Sequence, residues 1–173
     1  MFIPIYFILF YYSLSITTIL FLRMSELSIN LKWSLGEGEL TPGKIPNSHE
    51  VIFNQDYKII SDAAPDWGGS PSNTNPEQAL AASVSSCHMM TFLALAAKMK
   101  WPVSSYEDKA DAVLGKNSKG QMAVTKITLH PVVTFEGDFS IGDQEMKEMH
   151  DRSHRYCFVA NSLSDEVGFE VVL

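Results

Sequence analysis

Cysteine is scarce in this chain. Two residues of 173, Cys87 and Cys157, are all there is, too few to staple a small secreted domain, so each is kept for packing or for reactivity. A reducing compartment, the cytoplasm, is expected. Positive charge is thin as well: 13 Lys+Arg stand against 20 Asp+Glu, a net charge of -7, with no basic cluster. That removes long-range attraction to a polyanion, and nucleic-acid binding with it. Arginine is missing altogether between Arg23 and Arg152. There is no internal repeat and no low-complexity tract.

Charge of either sign is absent from Met1 to Leu22. As a helix this run would span about 33 Å at ~1.5 Å per residue, enough to cross a bilayer, and Arg23 flanks it. Three expectations follow. The protein starts at Met24, where ordinary globular sequence opens; or residues 1–22 anchor it to a membrane; or they form a cleaved secretory signal, which lacks the usual leading positive charge and small-residue cleavage site. Residues 1–23 are therefore set apart as an extension, and a single domain is expected over 24–173.

From Leu27 to Leu35 apolar and polar residues alternate, the period of a half-buried strand. Two short strands are predicted over His49–Phe53 and Tyr57–Ser61. A long loop rich in Pro, Gly, Ser and Asn covers 63–75, and loops of that length inside a domain are often functional. Asn75-Pro76-Glu77 then reads as a helix start: Asn caps, Pro fits the first turn, and Glu favours the positive end. The helix runs towards Lys100 and is apolar nearly all round, so burial on most sides is predicted, a partner subunit supplying part of the cover. Strands over Val103–Val113 and Met122–Phe135 flank a polar turn. A second helix follows Gly142, carrying Met146, Met149, Tyr156 and Ala160, and a last strand lies near Glu166–Val172. The fold class is α+β: one curved, mostly antiparallel sheet of about six strands, a long buried central helix and a second helix.

Cys87 falls inside the central helix and Cys157 inside the second. Taken singly, each is an ordinary packed thiol. Taken together they fit a peroxidatic and resolving pair, in which one thiolate attacks an O–O bond, becomes sulfenic acid and condenses with the second thiol. His88, about 100° round the helix from Cys87, is read as a packed histidine rather than a base. His150, His154 and Cys157 share one helical stripe, and with Cys87 they offer a Cys2His2 set as a zinc alternative; Arg155 is a second candidate for a cation near the thiols.

The segment Asn75-Pro76-Glu77-Gln78-Ala79-Leu80-Ala81-Ala82-Ser83-Val84-Ser85-Ser86-Cys87, continued by Thr91 to Ala97, resembles the "NPE, small-residue run, Cys" helix of the OsmC/Ohr family. Cys157-Phe158-Val159-Ala160-Asn161-Ser162-Leu163 is similar to that family's second cysteine segment, and the order of elements matches over 27–173. The resemblance implies an intertwined homodimer with sites at the subunit interface. It also implies a thiol peroxidase that reduces organic hydroperoxides and is recycled by a dithiol reductant, without metal or cofactor. Cys87 would be the peroxidatic nucleophile, Cys157 the resolving cysteine, and Glu77 the acid that holds an arginine against the reactive sulfur. The chain departs from that pattern, because the family's N-terminal arginine is absent. Lys44, His49 and Lys58 are the only alternatives from Pro42 to Cys87, and none can offer a bidentate guanidinium. The alternative is thus an OsmC-fold binding or structural dimer with little peroxidase activity. Geometry poses a further condition: ten residues of unbroken helix hold Glu77 about 15 Å from Cys87. A helix break near Ser83–Ser86 would relieve this and place Cys87 at a positive helix end.

Overall fold

Six strands and two α-helices follow one another along residues 27–173, which a computed structural model describes; the apolar extension lies outside them. The chain divides into two units, Met1–Ser61 and Asp62–Leu173.

In the first unit, β1 (Asn30–Lys32), β2 (His49–Ile52) and β3 (Lys58–Ser61) pair antiparallel in that order. The β2–β3 turn is closed by Phe53 N–H donating to the Tyr57 carbonyl at 3.0 Å and by Asn54 Oδ1 accepting from Asp56 N–H at 2.9 Å, an Asx turn. Across the strands Lys58 pairs with Glu50. The alternating run over 27–35 becomes a strand of only three residues, since its partner β2 has only four to offer. Its apolar side, Ile29, Leu31, Trp33 and Leu35, is exposed rather than half-buried.

The second unit opens with the predicted loop, which is ordered around one carboxylate. Asp62 Oδ1 accepts from Ala63 N–H at 2.8 Å, and Oδ2 accepts from Ser70 N–H at 3.1 Å and Asn73 Nδ2 at 3.3 Å. The backbone passes so close to itself here that a Cβ on Gly69 would sit 1.7 Å from the Ala63 oxygen.

Helix α1 (Pro76–Met99) starts as the sequence requires. Asn75 Oδ1 accepts from Gln78 N–H at 2.8 Å and Gln78 Oε1 accepts from Asn75 N–H at 3.2 Å, a reciprocal cap. It ends on Lys100 in the left-handed conformation, φ 58°, with Trp101 N–H returning to the Ala96 carbonyl at 2.9 Å. β4 (Val103–Lys116) and β5 (Met122–Phe135) form a long antiparallel hairpin. α2 (Asp143–Tyr156) then packs on α1, and β6 (Gly168–Val171) returns parallel to β5. Phe92, Leu95, Ala96 and Met149 join the two helices, while Val84, Ile127 and Leu129 join α1 to the sheet.

Three expectations change. The strands form two three-stranded sheets instead of one, because β6 pairs back onto β5 and closes its own set. α1 is buried along one side only, on Ala81, Val84, His88, Phe92, Leu95 and Ala96. Its other side, including Ala82, Met90, Leu93, Ala94 and Ala97, is exposed though equally apolar, since one sheet and one helix cover only part of a cylinder. Finally, α2 stops at Tyr156: Cys157 is its C-cap, and Ala160 belongs to a separate 3-10 turn, Ala160–Ser162.

Candidate functional site

Helix α1 fixes Cys87 mid-helix, its carbonyl accepting from Thr91 Oγ1 at 2.9 Å. Helix α2 delivers Cys157 at its cap. There the chain leaves helical geometry, and Ala160 N–H donates to the Cys157 sulfur at 3.4 Å. The two thiols, so distant in sequence, are free, and they lie close enough for Cys87 to act on the Cys157 thiol. Their surroundings differ. Cys157 is fully buried, at 0% exposure, whereas Cys87 is half-buried. Burial pushes the Cys157 thiol well above its ordinary value, the Cys87 contact pushes it further, and the Ala160 and Val159 N–H groups pull it back only in part. Cys157 is thus kept protonated beside a less buried cysteine.

Glu77 does not join them. α1 is continuous from Pro76 to Met99, with no break at Ser83–Ser86, so Glu77 stays about 15 Å up the axis from Cys87. Nor does Cys87 gain a helix N-terminus. Glu77 keeps a buried Oε2 without a partner. The cationic candidates are placed elsewhere: Lys44 pairs with Glu39 at 3.0 Å, Lys58 with Glu50, and His49 Nδ1 lies 2.6 Å from the Asn47 carbonyl, all in the first unit. Arg155 is exposed at the end of α2. Among the described residues, the groups that act on the Cys157 thiol are Cys87 and the Ala160 and Val159 N–H groups.

The histidine stripe on α2 does not converge on the cysteines as a metal site. His150 turns to His88, Nδ1 to Nε2 at 3.0 Å, with the rings near parallel. His154 stacks instead on Phe169, centroids 3.9 Å apart. Among the described residues no group of three or more His, Cys, Asp or Glu could hold a metal ion. His88 is a packed histidine, as expected, at 0% exposure, and His150 is at 1%. Burial, chiefly, lowers both to about 4, so both are neutral at physiological pH.

Sequence reasoning missed this pair as a unit, because nothing in either helix reveals that two imidazoles 62 positions apart will meet. It also missed Asp108 on β4, whose carboxylate accepts from Ser85 Oγ at 2.5 Å and from His130 N–H at 2.8 Å, tying α1 to the hairpin. Asp108 helps line a cleft of ≈ 440 Å³ with Gln78, Ser85, Met89 and Tyr106. By helical geometry those α1 positions face away from Cys87.

Comparison with known proteins agrees with the motifs. The model of the OsmC-like protein family matches residues 69–172. The chain is 37% identical to an OsmC-like protein of unknown function from Vibrio cholerae, with a TM-score of 0.76 over 84% of this chain and 97% of that one. It is similar in fold to an organic hydroperoxide resistance protein from Legionella pneumophila, at 18% identity, a TM-score of 0.59, and coverage of 84% and 97%. An organic hydroperoxide resistance protein from Elizabethkingia anophelis gives 18%, 0.62, and 83% and 94%. None of the curated proteins compared matches this chain. With the central helix, the second cysteine segment, the α+β architecture and the family model in agreement, this chain belongs to the OsmC-like family, the OsmC/Ohr proteins.

Proposed function

We propose that this protein is a thiol-dependent peroxidase of organic hydroperoxides, with Cys87 as nucleophile and Cys157 as resolving thiol. The observation that carries it is the meeting of a half-buried and a fully buried thiol from two helices. The Cys87 thiolate attacks the outer peroxide oxygen, the O–O bond breaks, and the alcohol leaves with a proton, giving Cys87 sulfenic acid. The Cys157 thiol then attacks that sulfur; water leaves with the Cys157 proton and the disulfide forms. A dithiol reductant restores both thiols by exchange. Two free cysteines and this cycle suit a reducing cytoplasm.

A homodimer belongs to this reading. The exposed apolar side of α1 needs cover, and a second copy presents a matching surface.

The test is stopped-flow mixing of the reduced protein with cumene hydroperoxide. Loss of one peroxide per protomer, far faster than with free cysteine and abolished in Cys87→Ser, is expected. A rate equal to free cysteine rejects the proposal. It would favour the second reading, an OsmC-fold binding or structural dimer, supported by the absence of any arginine between Arg23 and Arg152 in the sequence.

A further inference from the structure

We infer that the His88–His150 pair is a positioning device that fixes the register of α2 on α1 and thereby sets Cys157 against Cys87. The inference rests on the reading of the two cysteines as a redox pair.

Each helix carries one member of both pairs. On α1, His88 follows Cys87 directly; on α2, His150 lies two turns before its C-cap Cys157, on the same stripe. The helices meet at the imidazole pair and at the two cysteines, and at an exposed end of the seam Arg152 Nη1 donates to the Met99 sulfur at 3.5 Å. Aromatic and aliphatic side chains pack around the imidazole pair. Phe92 stacks on His150 with centroids 4.7 Å apart, Phe169 lies 5.8 Å from His88, and Met149 and Leu95 fill the seam.

Apolar seams between helices are periodic, and sliding one helix by a turn, about 5.4 Å, re-creates much of the same packing. A thiol pair does not tolerate that slip, since a disulfide needs Cβ atoms roughly 3.5–4.5 Å apart. The imidazole bond removes the degeneracy. It is satisfied in one register only, and in any other both shared nitrogens would be stranded in hydrocarbon, as with a single buried polar pair in a coiled coil. The site has no slack: His88 Nδ1 and His150 Nε2 are already buried without a partner. The pair thus tolerates two unpaired outer nitrogens in order to keep the inner bond.

The test measures the equilibrium of the Cys87–Cys157 disulfide against glutathione at pH 7.5, expressed as an effective concentration. It needs no peroxide. A wild-type chain that forms the disulfide but ignores hydroperoxide would sink the peroxidase proposal and leave this one standing. In His88→Leu/His150→Leu, which strands no polar group and should fold, the effective concentration is expected to fall about tenfold or more. In His88→Gln/His150→Asn the two amides reach the positions of Nε2 and Nδ1, and the value should recover to within about threefold of wild type. Melting temperature is recorded beside it, because a merely structural role would move stability and leave the thiol equilibrium alone. A Leu/Leu protein with the wild-type value, or a Gln/Asn protein no better than Leu/Leu, overturns the inference.

Discussion

Cys87 and Cys157 have the same side chain and different fates. Cys87 is half-buried, while Cys157 is enclosed and its thiol held protonated by burial. Reactivity follows thiolate fraction and access together. Iodoacetamide at pH 7.5 should therefore alkylate Cys87 about tenfold or more faster than Cys157, as read by peptide mass spectrometry, and comparable rates would contradict the asymmetry. Both cysteines could be picked out from sequence because they sit in recognisable segments. Their inequality could not, because it depends on a helix stopping at Tyr156 and on Ala160 N–H turning back onto a sulfur. Glu77 shows the opposite limit: its match to the family segment was plain, but whether α1 breaks before Cys87 is decided by packing along Ala81, Val84 and His88.

At the scale of elements, the α1–α2 seam carries a pH dependence of its own. His88 and His150 have native values of about 4, against 6.5 for a free imidazole, mainly through burial. His154 lowers and Asp108 raises the first; His88 lowers and Asp151 raises the second. The unfolded chain thus binds more protons than the native one below 6.5. Stability is undiminished above that value and is lost as pH falls through the range down to about 4. Roughly 1–2 kcal/mol per imidazole should be lost by about pH 4.5, read as a drop in the urea midpoint from pH 7. The His88→Leu/His150→Leu protein should show a shallower drop, and an unchanged profile would refute the assignment. Elements were the most legible level of this chain. Asn75-Pro76-Glu77 announced the start of α1, and Gly142 that of α2. Sheet membership was hidden, since a short apolar strand such as β6 looks the same whether it extends one sheet or pairs in parallel within another.

For the whole molecule, the question is what lies against α1. Its hidden and its exposed sides are both apolar, which is why the sequence suggested burial nearly all round while the chain itself covers only one side. Placing a charge on the exposed side, as in Ala94→Glu, should convert a dimer to monomers in light scattering. A wild-type chain that is monomeric at micromolar concentration would count against the homodimer. The mutant helix should keep its circular dichroism, because Ala94 faces away from the core.

The parallel return of β6 has a consequence for how the protein is made. Phe169, on the last strand of the fold, roofs both His88 and His154. Chains emerge from the ribosome amino end first, so Cys87 is in solution long before the strand that completes the seam around its partner leaves the tunnel. A chain that has not yet added β6 holds both cysteines but lacks the side chain that covers the histidines beside them.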